Sequence, residues 1–166
     1  MRSFNSAHSA LGSSVQWQEL SVYELNSETV GEFDFVFMGS VLCHLHDPVA
    51  ALSAIRRVVR GELLSVDAVS LHLTVLHPRQ AVAALETPGW PLWWVPNLRS
   101  YHQLFGAAQL ELLASGRPFF VKRGSAYRAG CGTPLTGRGG SLQERFKRAI
   151  SSRLGNLHAW VQACAA

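Results

Sequence analysis

An α/β fold built around parallel strands is the class this sequence predicts, and three observations predict it. The segment FDFVFM (residues 33–38) is apolar at nearly every position, the pattern of a strand covered on both faces and not of one with a wet face. A well-punctuated helix follows it. Asp47 is a good N-cap, Pro48 suits the first helical position, and Gly61 can take a left-handed stop. A second apolar strand, ELLSVDAVS (62–70), comes directly after. Strand, helix and strand in so short a stretch make a crossover unit, which joins parallel neighbours.

Taken in order, residues 4–12 read as a short helix ending at Gly12. QELSVYEL (18–25) has the β-branched and aromatic content of a strand, and the polar run NSETVGE connects it to FDFVFM. In the capped helix, Leu52, Ile55 and Val59 recur on one face. Arg56, Arg57 and Arg60 sit in its last turns, where positive charge suits the dipole. Residues 71–96 are apolar but broken by Pro78, Pro88, Pro91 and Pro96, and they carry Trp90, Trp93 and Trp94. Asn97 can cap a helix over LRSYHQLFGAAQ, with Leu98, Tyr101, Leu104 and Phe105 at helical spacing. LELLAS (110–115) and PFFVKR (118–123) read as two strands joined by a tight turn at Gly116, hence as an antiparallel pair.

From Gly124 to Gly140 six glycines accompany Pro134 and several Ser and Thr, the composition of a flexible linker. The last segment, LQERFKRAISSRLGNLHAWVQACAA, places Leu142, Phe146 and Ile150 on one face of a basic amphipathic helix that Gly155 interrupts. The expected organisation is one domain over residues 1–127 and a linker with a basic tail helix over 128–166.

Composition bounds the function. The formal charge of +4 is unevenly placed: residues 1–121 carry seven basic and ten acidic side chains, residues 122–166 eight and one. The body is therefore not a nucleic-acid surface, and the basicity belongs to the tail. No run of apolar residues reaches the ~18 expected of a membrane span, and the N-terminus lacks the build of a secretory signal, so a cytoplasmic protein is expected. Cys43, Cys131 and Cys164 lack the spacing of a zinc or redox pair and read as reduced thiols. His44 and His46 are two apart with no Cys or carboxylate to complete a set, so no metal site is expected.

VYEL, FDFVFMGSVLCHLHDP, the capped helix, LLSVD and WWVPN, in that order, resemble class I S-adenosylmethionine-dependent methyltransferases, nearest to the tRNA wobble-uridine methyltransferase-like group. The resemblance covers about residues 4–127. It implies a Rossmann-like sheet in which QELSVYEL is the third strand, FDFVFM the fourth, ELLSVD the fifth and the LELLAS/PFFVKR pair the last two, with the donor lying over the carboxyl ends of the parallel strands. By the same resemblance Glu24 accepts from the adenine amine, Leu25 packs on the adenine ring, and Met38, Gly39 and Ser40 line the methionine end. His44 occupies the place of a group facing the methyl acceptor and is the catalytic candidate. Asp67 is expected to satisfy backbone donors and not to act as a base.

A complete member of that family opens with a strand ending in a glycine-rich turn and a second strand ending in an acidic residue. Neither is present, so the resemblance implies an N-terminally truncated, incomplete sheet with strands 1 and 2 missing. The fourth strand is then left with an open edge, at which strand three re-pairs or a second copy associates. Two functions follow from this. One is the C-terminal part of a methyltransferase acting with S-adenosylmethionine on an acceptor that is a small molecule or RNA. The other is a non-catalytic remnant or partner-binding module of the same fold.

Overall fold

A computed structural model describes residues 2–85, 92–122 and 155–166. The predicted crossover unit is its centre. Strand β1 (Phe33–Gly39) runs parallel to β2 (Val59–Ala68), and helix α3 (Pro48–Arg56) joins them. Asp47 caps α3 by accepting from the Ala50 amide, and Pro48 stands in its first turn. The helix stops before Gly61, which lies inside β2; Val59 and Arg60 belong to that strand too, and Arg60 pairs with Asp34. Gly61 is there for space and not as a helix stop: a Cβ would lie 2.1 Å from the Asp34 carbonyl oxygen, where β1 and β2 slip register.

Ahead of the unit stand α1 (Arg2–Leu11) and α2 (Ser27–Val30), the latter capped by Asn26. QELSVYEL is not a strand. Its residues run without ladder partners into a single 3-10 turn, Val22–Glu24. β propensity is realised only against a neighbouring strand, and among the described residues none lies beside this segment. It therefore does not re-pair at the outer edge of β1, which carries a ladder on its β2 side alone.

Beyond β2 come α4 (Leu71–Leu76), a small antiparallel pair of β3 (Ala83–Leu85) and β4 (Trp94–Pro96), and α5 (Leu98–Ala107), which Asn97 caps as expected. Asn97 is fully buried and also donates to the carbonyls of His77 and Gln80, so one amide fixes both the helix start and the loop before it.

The C-terminal half departs from the expected pairing. β5 (Leu110–Ser115) and β6 (Phe119–Val121) do not fold back on each other. They lie end to end along one side of β7 (Asn156–Ala165), both antiparallel to it, and the other side of β7 pairs antiparallel with β2. The main sheet thus has the order β1-β2-β7-β5. Gly116, expected in a hairpin turn, makes room for a ring: a Cβ there would fall 2.5 Å from the Trp160 indole. The tail helix is likewise corrected. Its residues 156–165 are β7, inside the main sheet, while residues 123–154, with the glycine-rich segment and Leu142, Phe146 and Ile150, lie outside the described residues.

Helices α3 and α5 cover one face of this sheet. Leu52, Leu63, Tyr101, Phe105, Ala159, Val161 and Ala163 are fully buried between them. No helix among the described residues is long and apolar enough to cross a membrane.

Candidate functional site at the carboxyl ends of the parallel strands

Four segments meet where β1 and β2 end. The first is the exit of β1. Met38 is buried, while Gly39 and Ser40 are exposed. The space Gly39 leaves is taken by the Phe37 ring, 3.0 Å from where a Cβ would stand. The residue in the left-handed region is the next one, Ser40, at φ 53°. A non-glycine residue there carries a conformational cost that the surroundings must offset. Here the Ser40 amide donates to the Val66 carbonyl at 2.7 Å and holds the turn to β2.

The second segment is the 3-10 turn Leu42–His44, which is fastened from below by Asp67. The Asp67 carboxylate, 1% exposed, accepts from the amides of Val41 (2.9 Å), Leu42 (2.6 Å) and Ala68 (2.8 Å). That is the structural role expected of it, since a buried carboxylate is tolerated when backbone donors surround it. Beside it, burial and then the Asp67 charge push the Cys43 thiol up to about 12, which makes Cys43 an inert core residue.

The third segment brings Glu24 and Leu25 to the same end. The Asp47 amide donates to the Tyr23 hydroxyl at 3.2 Å, so the turn carrying Glu24 sits beside the start of α3. Glu24 is exposed, and Leu25 packs against the core. The fourth is the loop into β4. The Trp93 amide donates to the Cys43 carbonyl, and the Trp94 indole donates to the Leu45 carbonyl. The Trp93 ring lies on His46 with centroids 3.7 Å apart and remains 49% exposed. Trp94 is thus a packed anchor and Trp93 an aromatic rim. His44 is exposed on this rim. Trp90 lies outside the described residues.

Sequence reasoning missed the partner of Ser40. His158 enters from β7, level with Ala68, and is 8% exposed. Its Nε2 is 3.4 Å from Ser40 Oγ, and its Nδ1 is 3.1 Å from the Asn156 carbonyl oxygen. The signal was available. Leu157, Ala159, Val161 and Ala163 alternate strictly and all are buried, the period of a strand and not of a helix.

Residues 2–62 match the family described as a methyltransferase domain. Among solved structures, an O-methyltransferase from a trans-AT polyketide synthase multienzyme of Brevibacillus brevis is similar at a TM-score of 0.58 and 13% identity, over 99% of this chain and 54% of that one. The fold is that of the class I methyltransferases. The 1,6-didemethyltoxoflavin-N1-methyltransferase of Burkholderia thailandensis is similar at a TM-score of 0.56 and 15% identity, over 96% of this chain and 55% of its own. The same methyltransferase fold is shared with the [4+2]-cyclase SpnF, at 0.53 and 12%, covering 98% and 61%. The chain therefore spans little more than half the length of these structures. No match emerges among curated proteins.

Proposed function

We propose that this chain forms the acceptor-side part of an S-adenosylmethionine-dependent methyltransferase whose acceptor is a small molecule. The supporting observation is the convergence of the β1 exit, the Glu24 turn and the Trp93 rim at one end of a sheet ordered β1-β2-β7-β5. Open α/β sheets hold ligands at that end. The match of residues 2–62 to the methyltransferase-domain family and the S-adenosylhomocysteine bound in the Burkholderia and Brevibacillus structures support the donor.

The residues present fit two sides of that donor. Exposed Glu24 offers an acceptor for an exocyclic amine, Leu25 an apolar surface for the ring, and Gly39 and Ser40 a wall for the methionine end, while Met38 turns into the core beneath them. Asp67, the buried carboxylate of the described residues, is engaged by three amides and is not free to grip a ribose. When bound, the donor supplies an electrophilic methyl group and retains the carbon–sulfur electron pair. What this chain contributes is position and the exclusion of water around the reacting atoms, the larger part of catalysis in such a transfer. His44, on the rim, is in place to face the acceptor. The tRNA group is not carried further, because residues 1–121 carry ten acidic against seven basic side chains, a balance that does not favour following a phosphate backbone.

Titration calorimetry with S-adenosylmethionine tests the reading. Saturable heat is expected for wild type, with Glu24→Ala weakening binding about tenfold, the loss of roughly one hydrogen bond to a charged group. Folded protein that takes up no donor would sink it.

A further inference from the structure

We propose that Ser40 and His158 form the proton-accepting wall of the acceptor site, and that the acceptor is a phenol or enol on a flat ring. This deepens the methyl-transfer reading and rests on it. The geometry fixes the chemistry of the pair. A carbonyl oxygen only accepts, so the contact to Asn156 places the imidazole proton on Nδ1. Nε2 is then a lone pair, and it faces the Ser40 hydroxyl. A base oriented by a third group and aimed at a hydroxyl is the arrangement that makes protons movable at neutral pH.

Two readings of such a pair compete, and neighbouring amides decide between them. Acyl transfer through Ser40 needs backbone N–H groups free to hold an oxyanion. The amides that follow Ser40, those of Val41 and Leu42, both donate to Asp67, and the Ser40 amide donates to Val66. Among the described residues, none of these three amides is left to form an oxyanion site beside the hydroxyl. Proton uptake needs none. The proton leaving the acceptor's oxygen passes to Ser40 Oγ as Ser40's own proton passes to His158 Nε2. The electron pair left on the acceptor oxygen makes the new bond to the methyl carbon, and the imidazolium returns its proton to solvent.

The surroundings select the ring. Phe119 lies beside the His158 imidazole, with centroids 6.3 Å apart and planes inclined by 30°. Trp93, tilted by 41° against His46, presents a half-exposed face on the loop into β4. Aromatic walls with one or two convergent polar atoms are how pockets take flat, weakly acidic molecules.

4-Nitrophenol is a suitable probe, because its ionisation is visible and its proton is the one at issue. In the full chain labelled with 15N-histidine, long-range imidazole spectra are expected to show His158 as the Nδ1–H tautomer. Added 4-nitrophenol should then move its Nε2 resonance toward imidazolium while the bound dye turns to nitrophenolate. His158→Gln should abolish the colour change. Ser40→Ala, at an exposed position that does not threaten folding, should weaken it about tenfold. An Nε2 resonance unmoved at saturating dye, or a colour change of equal size in Ser40→Ala, overturns the proposal. The calorimetric arm is independent. Donor uptake without a dye response rejects the pair and leaves methyl transfer standing; a dye response without donor uptake does the reverse.

Discussion

Two strands with five apolar residues each, β1 and β2, end in opposite circumstances. In β2, Leu63 and Ser65 are fully buried, with β1 on one side, β7 on the other and helices over one face. In β1, Phe33, Phe35 and Phe37 stand 45%, 57% and 61% exposed, and only Met38 and the half-buried Val36 turn into the core. The difference teaches that an apolar run states how much cover a strand is suited to, while burial depends on which neighbours are beside it. The three phenylalanines lie on the face that α3 and α5 do not cover.

The contrast can be broken by substitution. Phe105→Ala, beneath the covered face and in edge-to-face contact with Tyr101, is expected to cost about 4 kcal/mol in denaturant unfolding. Asp67→Ala strips the acceptor from three amides at the strand ends and should cost about 3 kcal/mol; a loss under about 1 kcal/mol would mean that the turn after β1 does not depend on it. A smaller effect is expected from acid. Burial lowers the pKa of His102, whose Nε2 has no hydrogen-bond partner among the described residues. Its neutral form is thus favoured in the fold, and stability is retained above the ordinary histidine value of 6.5 and lost as pH falls below it. His102→Leu should flatten that part of the stability–pH curve. The smallest effect belongs to Phe37→Ser, within about 0.5 kcal/mol for an uncovered face. A loss of about 2 kcal/mol or more, together with a fall in sedimentation mass, would instead reveal a second copy seated on the open edge and face of β1.

The same contrast explains what was legible in the sequence. Local punctuation was read correctly: Asp47 and Asn97 cap the helices they were expected to cap, because a cap is a contact within three residues. The parallel β1–β2 pairing followed from a helix of adequate length between two apolar runs. Errors came where the deciding partner is distant. QELSVYEL has strand composition but, among the described residues, no strand beside it. Gly116 was assigned a turn because a short link between two strands usually makes one, whereas the indole that needs its space is 44 positions away in the chain. At the strand ends, the backbone role of Asp67 was visible from its position. His158 was hidden by the helical reading of the basic tail, which was drawn from residues 142–150 and carried past Gly155 over an alternating stretch.

The place of β7 has a consequence for biosynthesis. The strand that separates β2 from β5 is made after both, so a nascent polypeptide halted before Asn156 holds two unsatisfied β-edges with a gap between them. Pairings over such sequence distances form slowly, and the interval leaves those edges available to chaperones or to aggregation until β7 joins the two halves.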